Sequence, residues 1–437
     1  MLLRSRVSGT SSTSCSDCVG QAGSLDGSNE TIKRTSLLGW LLQAAECGWL
    51  PDALIRQGIR RLLESRLRQN ASPANEFSLD EFIRATQAQP IAVTPQKAND
   101  QHYEVPAEFF QKVLGERLKY SCCYWTDSTV SLDQAEVEAL QRTCANAQIE
   151  DGMKILELGC GWGSLSLWMA KQYPESHITA VSNSNSQREF IQQQAAESGL
   201  SNLTVITADI NDFNPDTTFD RVVSVEMFEH MRNHQRLMDK VYDWLRPGGK
   251  LFVHIFCHKE TPYLFRSDGD ENWMGRYFFS GGMMPSADLL ARCGSRLTLV
   301  DQCTWNGKHY AKTCRAWLSK QDSCKREIRR VLAATYGEKQ AKVWHNRWRM
   351  FIMALKSYSL LIEAKTGSSL IHCLNDERRT SNFTVAMQLR HLSDHAVDLV
   401  TQPCEKGYKH CRYRLGTWFC RRCMDSLPLW AEHKPDK

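Results

Sequence analysis

The sequence predicts a doubly wound α/β fold, a parallel sheet with helices on both faces. The stretch 153–171, MKILELGCGWGSLSLWMAK, is the first observation behind it. An apolar run (Met153, Ile155, Leu156, Leu158) enters a turn carrying Gly159, Gly161 and Gly163, and a helical pattern follows at Leu165, Leu167, Trp168 and Ala170. The second is that strand-like and helix-like segments then alternate as far as residue 256. The third is that the connections are long enough to hold the crossover helices parallel strands require. Strand, glycine turn and helix in that order make a ligand site at the carboxyl end of the sheet, because glycine lets a ligand reach the backbone. A G-x-G-x-G turn alone also fits an ordinary tight connection; the flanking elements favour the site.

Taken in order, residues 1–35 are rich in Ser, Gly and Thr, with Arg4 and Arg6 and no acid before Asp17. They hold too little apolar surface to order themselves and read as a disordered cytosolic tail. A mitochondrial import segment is the alternative, but a clear amphipathic helix is missing. Residues 36–98 form a helical cap and linker, broken at Gly48–Pro51 and again by Pro90 and Pro95. Within it LIRQGIRRLLESRLRQ sets Ile55, Ile59, Leu62, Leu63 and Leu67 on one face, with Arg56, Arg60, Arg61 and Arg68 mostly elsewhere. That pattern suits a helix packed on the main domain with a solvated basic side, ahead of one resting on an anionic membrane.

The main domain is expected over 99–357. It begins with a helix at 107–114 and an aromatic, thiol-rich strand or loop in which Cys122 and Cys123 read as small buried hydrophobes. A helix at 131–149 leads into the glycine turn. Strands are expected at 177–184, 203–210, 220–230 and 246–256, and helices at 187–198 and 234–245. Residues 325–356 keep a helical, Trp-rich pattern, and 358–437 form a divergent extension.

The 437 residues are 42% hydrophobic and 24% charged, ordinary for a globular chain, with a net charge of +5. No basic cluster alternates with aromatics, so no nucleic-acid partner is expected. No apolar run approaches the roughly 18 residues that cross a bilayer. The expectation is a soluble or peripheral cytoplasmic protein. The 17 cysteines, scattered through a long chain, then read as reduced thiols.

A nicotinamide cofactor fits poorly. The dinucleotide fingerprint wants a third glycine at 164, where Ser164 stands, and an acid after the second strand, where Ser182 and Asn183 stand. Glu157 before the turn and Asp209 after the third strand suit a ligand bearing an amine and an adenine instead. The sulfonium of S-adenosylmethionine would also rest well near aromatic faces.

ANDQHYEVPAEFF, LKYSCCYW, ILELGCGWGSLSL, SNSNSQREFI, SVEMFEHM, LFVHIFCHK, YFFSGGMMPSADLL and NGKHYAKTCRAWL occur in that order. With them the chain, from about Leu38 to Ser357, resembles the cyclopropane-fatty-acyl-phospholipid synthase superfamily, and within it the coclaurine N-methyltransferase branch. The resemblance implies a class I S-adenosylmethionine-dependent methyltransferase, a Rossmann-like sheet with an N-terminal helical cap and a lid insertion. It implies Tyr120 and Ser121 at the methionine end and Gly159 and Gly161 under the cofactor. Asn183 and Gln187 would serve the ribose, and Asp209 and Ile210 the adenine.

Glu226, Glu229 and His230 cluster where the fourth strand ends, a position suited to orienting an amine and taking its proton; an ion-pair or capping cluster is the bland alternative. By the resemblance Glu229 and His230 are the catalytic pair and Glu226 the amine-side contact. The same superfamily implies a rival chemistry on unsaturated phospholipid acyl chains. There a bicarbonate would be caged by Cys122, Glu229, His254 and Tyr310 with the Phe256 carbonyl. The lipid-modifying branch typically has glycine at position 226, so the glutamate favours a small-molecule amine. The segment 271–290 (Trp273, Tyr277, Phe278, Phe279) would lid the pocket, or simply pack on the sheet.

The family closes with a short strand of the type EW-x-V-x-H-x-LF, expected soon after 357, where this chain reads SLLIEAKTGSSLIHCLNDERRTS. Its loss would expose a sheet edge and suggest a cofactor-binding but inactive protein, unless NFTVAMQL (382–389) replaces it. Cys404, His410, Cys411, Cys420 and Cys423 are candidate zinc ligands, weighed against free thiols. Oligomeric state is open.

Overall fold

The computed structural model describes residues 36–70, 78–93, 105–365, 382–390, 412–414 and 417–419. At its centre β1 (Lys154–Leu158) pairs in parallel with β2 (His177–Ser182) on one side and β4 (Phe219–Val225) on the other. β3 (Leu203–Thr207) lies outside β2, and β5 (Leu245–His258) lies beyond β4. Helices Ser164–Gln172, Asn185–Glu197 and His234–Trp244 follow β1, β2 and β4. A two-stranded ribbon joins β6 (Tyr263–Leu264) to β7 (Met283–Met284). β8 (Thr298–Asn306) ends the expected domain's sheet, and β9 (Asn382–Arg390) is wedged antiparallel between β5 and β8. The order is β3-β2-β1-β4-β5-β9-β8. A small hairpin, β10 (Arg412–Arg414) with β11 (Thr417–Phe419), stands apart from this sheet.

β9 changes the expectation of an unfilled edge. All nine of its residues pair with β5, from Lys250↔Arg390 to His258↔Asn382. The segment NFTVAMQL therefore takes the place of the missing closing strand, and the main reason to expect an inactive protein goes with it. Strands two and three end at Ser182 and Thr207, earlier than the sequence suggested. Their ladder stops at the pair Ser182↔Thr207, and the residues beyond turn away toward the cleft. The helix Glu338–Lys365 runs past the expected boundary at 357. The tail 1–35 and the thiols Cys404, Cys411, Cys420 and Cys423 with His410 lie outside the described residues.

The cap consists of helices Leu37–Glu46, Asp52–Asn70 and Leu79–Gln87. The first two dock on Glu338–Lys365 as the alternation of Ile55 and Ile59 with arginines anticipated: Ile55 is buried, while Arg60, Arg61 and Arg68 face solvent. Arg349 fixes the second helix by bonding both oxygens of Asp52 (3.0 and 2.9 Å) and by holding Asp322 (2.6 Å). Trp348, almost fully buried, packs against Phe109 (4.7 Å between rings), Phe278 (5.0 Å) and Phe110 (5.9 Å). It thereby ties the long helix to Ala107–Val113 and to the inserted segment 271–290. Trp348→Ala is expected to destabilise the fold by about 3–5 kcal/mol, the usual loss for a large buried aromatic; an unmoved urea midpoint would show that Trp348 does not hold these elements together.

Candidate active site

Three adjoining lobes open along the carboxyl edge of the sheet. The first lies between the loop 118–121, the glycine turn and the end of β4, and Glu226, His230 and Gln187 face it. The second lies over the ends of β2 and β3, against Asn183, Asp209 and Ile210. Gly159, Gly161 and His230 border both. The third is an apolar chamber between the cap, the inserted segment and the long helix, and it shares Phe256, Phe279, Tyr310 and Leu355 with the first.

The glycines are where the cleft needs them. Gly159 has φ +78°, and a Cβ there would lie 2.5 Å from Met227. Gly161 has φ +52° with nothing within 4 Å of a would-be Cβ, so the backbone itself is presented to the cleft. Asp209 accepts from the Asn211 N–H (2.9 Å) and Nδ2 (3.0 Å), which shapes the turn carrying Ile210. Gln187 is buried and accepts from the Ser182 hydroxyl (2.7 Å). It borders the first lobe, whereas Asn183 borders the second.

Loop 115–121 is held by a buried carboxylate. Glu136 accepts from the N–H groups of Gly115 (2.9 Å), Arg117 (2.8 Å) and Lys119 (3.2 Å). The loop delivers Tyr120 and Ser121 to the first lobe, together with Lys119, which the sequence reading left inside its motif. Buried Lys119 donates to Ser121 Oγ (2.5 Å) and the Cys122 carbonyl (2.8 Å). The next N–H, that of Cys122, donates to Glu226 Oε1 (2.8 Å), and the Tyr310 hydroxyl donates to Glu226 Oε2 (2.9 Å). Burial pushes the Glu226 carboxyl up, against a downward pull from Lys119 and these two donors. Glu226 also sits at φ +50°, a left-handed conformation in which the Cβ of any residue but glycine is crowded.

The candidate cluster is therefore split. Glu226 and His230 face the cleft, the latter with its ring stacked on Phe279 (5.4 Å). Glu229, in the turn Phe228–His230, is fully buried and borders none of the three lobes. One of its oxygens accepts from the Phe256 N–H (2.7 Å), and the other has no partner among the described residues. Burial and the neighbouring Glu226 push its carboxyl well up. Cys122 and His254 also border none of the lobes. The Cys122 thiol donates to the Cys123 carbonyl (3.4 Å), and the His254 ring lies against Trp305 (4.5 Å), held neutral by burial. Of the expected bicarbonate cage, Tyr310 bonds Glu226 and the Phe256 N–H bonds Glu229, while Glu229 Oε2 and both ring nitrogens of His254 have no partner among the described residues.

A sheet of this order with a ligand cleft over a glycine turn defines a class I S-adenosylmethionine-dependent methyltransferase. Residues 92–357 match the mycolic acid cyclopropane synthetase family, and the chain belongs to it. It is 36% identical over 332 residues to an (S)-coclaurine N-methyltransferase of Thalictrum flavum subsp. glaucum, covering 74% of this chain and 92% of that one. It is 31% identical over 219 residues to a cyclopropane-fatty-acyl-phospholipid synthase of Escherichia coli K12, covering 50% and 54%. A solved coclaurine N-methyltransferase, bound to N-methylheliamine and S-adenosylhomocysteine, superposes with a TM-score of 0.74 at 30% identity, over 81% of this chain and 99% of that one.

The residues present fit the cofactor. In the first lobe the buried Ser164 hydroxyl and Trp162 indole N–H have no partner among the described residues. Two orphaned donors beside the start of the helix Ser164–Gln172 suit an anionic methionine end. Ser164, a departure from the nicotinamide fingerprint, is thus a candidate cofactor contact that the sequence pattern did not mark. Ser164→Ala is expected to weaken S-adenosylhomocysteine binding by about 3- to 10-fold in calorimetric titration, the loss of about one hydrogen bond; equal affinity would remove Ser164 from the site.

Glu157, buried at the end of β1, accepts from the Ser166 hydroxyl, and burial raises it from 4.5 to about 7. Between those values the folded protein holds a proton that the unfolded chain does not. Unfolding free energy therefore falls as pH rises from about 4.5 to about 7, by roughly 3 kcal/mol from this group, and is level above. Glu136, raised to about 7 in the same way, adds a fall of the same sign. Glu157→Gln is expected to differ from wild type by about 2 kcal/mol in the change of unfolding free energy between pH 5 and 8, in the direction of a smaller fall with pH; no difference between the two pH series would mean that Glu157 does not titrate there.

Proposed function

We propose that the protein transfers the methyl group of S-adenosylmethionine to the nitrogen of an amine whose apolar body lies in the chamber between cap, inserted segment and long helix. The observation that carries this reading is Glu226. Its carboxylate lines the cofactor lobe beside Tyr310, a residue that lobe shares with the chamber, oriented by the Cys122 N–H and the Tyr310 hydroxyl, and no arginine or lysine among the described residues forms an ion pair with it. A cation or N–H donor is the partner such a group needs. The name of the Thalictrum relative supports the same chemistry.

The cofactor, when bound, supplies a methyl group on a positively charged sulfur. The chain's task is to present a nitrogen with its lone pair free, so an arriving ammonium has to lose a proton first. Glu226 accepts a hydrogen bond from the ammonium and fixes its direction. His230, bordering both cofactor lobes, takes the proton. Once the nitrogen is methylated it is a cation again, and Glu226 then lowers its energy through charge. Tyr310 and Cys122 orient Glu226, and Glu229 acts as a positioning residue. Its carboxyl, pushed well up by burial and by Glu226, pins the turn Phe228–His230 to the Phe256 N–H.

The rival transfer to unsaturated acyl chains would need a caged bicarbonate, whereas the hydroxyl of one expected cage member, Tyr310, is given to Glu226. Glycine at 226 would adopt φ +50° without strain, and keeping a carboxylate there against that cost supports a cationic substrate. Glu226→Gln and His230→Ala are each expected to lower amine methylation by about 10²- to 10⁴-fold, the range for losing a general base or its partner. Titration with S-adenosylhomocysteine on the same preparations separates lost chemistry from lost cofactor. Glu226→Gly should relieve the backbone and still fail on amines; a Glu226→Gln enzyme at full rate would end the proposed role.

A further inference from the structure

The chamber is apolar where the cap and long helix wall it, with Leu42, Ile59, Leu62, Leu63, Met350 and Ala354. Away from the residues it shares with the cofactor lobe it is bordered by two arginines, Arg66 from the helix Asp52–Asn70 and the exposed Arg266 from the loop after β6. Half-buried Arg66 donates to Asn272 Oδ1 (2.6 Å) and lies 6.0 Å from the centre of the Tyr263 ring. Among the described residues neither arginine forms an ion pair. The one carboxylate on that side, Glu271, turns to its own loop. It takes a long hydrogen bond from Asn272 Nδ2 (3.4 Å) and crowds Gly269. Where the long helix meets the cap, arginines find carboxylates: Arg347 holds Glu46, and Arg349 holds Asp52 and also Asp322. An apolar chamber that adjoins the Glu226 lobe through Tyr310 and has two arginines without an ion pair away from it has a built-in polarity.

We infer that the substrate is an amphipathic amine whose apolar body ends in an anionic oxygen group, such as a carboxylate, bound by Arg66 and Arg266. This rests on the N-methylation reading for the amine end; the acid end stands on the chamber alone. Arginine suits the task because its planar donors match a carboxylate in pairs; half-buried Arg66 gains more from its apolar surroundings, and exposed Arg266 closes the chamber's solvent side.

The test compares 4-(3-aminopropyl)benzoate with 3-phenylpropylamine as methyl acceptors, in wild type and in Arg66→Gln/Arg266→Gln. Wild type is expected to favour the benzoate at least tenfold in kcat/KM, and the double variant to lose most of that ratio. Because the ratio is taken within one preparation, a partly folded variant does not disturb it. Equal use of both amines by wild type, or an unchanged ratio in the variant, overturns the inference while leaving N-methylation standing. If neither amine is methylated, N-methylation is what fails. Calorimetry with 4-propylbenzoate on S-adenosylhomocysteine-saturated protein then decides the acid site by itself, with binding to wild type lost in the double variant supporting it and no binding overturning it. Label transferred to unsaturated phosphatidylglycerol vesicles in preference to either amine would assign the arginines to a lipid headgroup and overturn the inference.

Discussion

A carboxylate at the edge of an apolar cleft has to be held by donors, and the way Glu226 is held sets much of the surrounding architecture. One donor comes from the loop before the helix Leu132–Asn146 and the other from the helix after β8, so two elements far apart in sequence must arrive together. The loop reaches its place because Glu136 gathers three of its N–H groups. Glu136 in turn stands on a helix whose buried side, Ala135, Ala139 and Leu140 among others, is fixed in the core. A chain of dependence therefore runs from helix packing to a loop, from the loop to one backbone N–H, and from that N–H to the carboxylate of Glu226. Each link exists because leaving the next group unsatisfied costs more than ordering the one before it.

The chamber depends on a second buried carboxylate. Glu46, at the end of the first cap helix, accepts from Trp273 Nε1 (2.7 Å) and Arg347 Nη2 (2.8 Å), while its carbonyl accepts from Asn346 (2.8 Å). Arg347 also lies over the Tyr277 ring (4.0 Å) and near Trp344 (4.9 Å). Cap, inserted segment and long helix thus meet at one ion pair whose side chains are only 11 to 14% exposed, where solvent screens little. The inserted segment is a wall of the chamber and a packing element at once, so the two readings the sequence left open do not exclude one another.

Local order was legible. The glycine turn, the parallel strands and the clefts at Asn183, Asp209 and Ile210 follow from apolar runs and turn residues within a few positions of one another. What failed to show was side-chain direction and long-range pairing. Glu226 and Glu229 are three residues apart, but one precedes the single turn Phe228–His230 and the other lies inside it, so one faces the cleft and the other is buried. No periodicity reports that. β9 pairs β5 from more than a hundred residues away, across a connection with no family pattern to mark it. Arg66 sits on the helix whose basic side reads as solvated, and only the packing of Ile55 and Ile59 rotates it toward the chamber.

Charge balance shows why the cleft needs more than one carboxylate. A sulfonium and an amine are both cationic on arrival, and Lys119 is already buried among them. It draws Glu157 and Glu226 downward while burial drives both upward. Without ligands these opposing effects leave the carboxylates poised, Glu157 near neutrality at about 7. Each cation that enters favours the ionised form, because the Coulomb attraction grows in a water-poor site while the penalty for burying an unpaired charge disappears. Binding and deprotonation are then one coupled process. The strained backbone at Glu226 belongs to the same balance: at φ +50° the chain gives up some stability to aim a carboxylate into the cofactor lobe, where an opposite charge restores the loss only once it has bound.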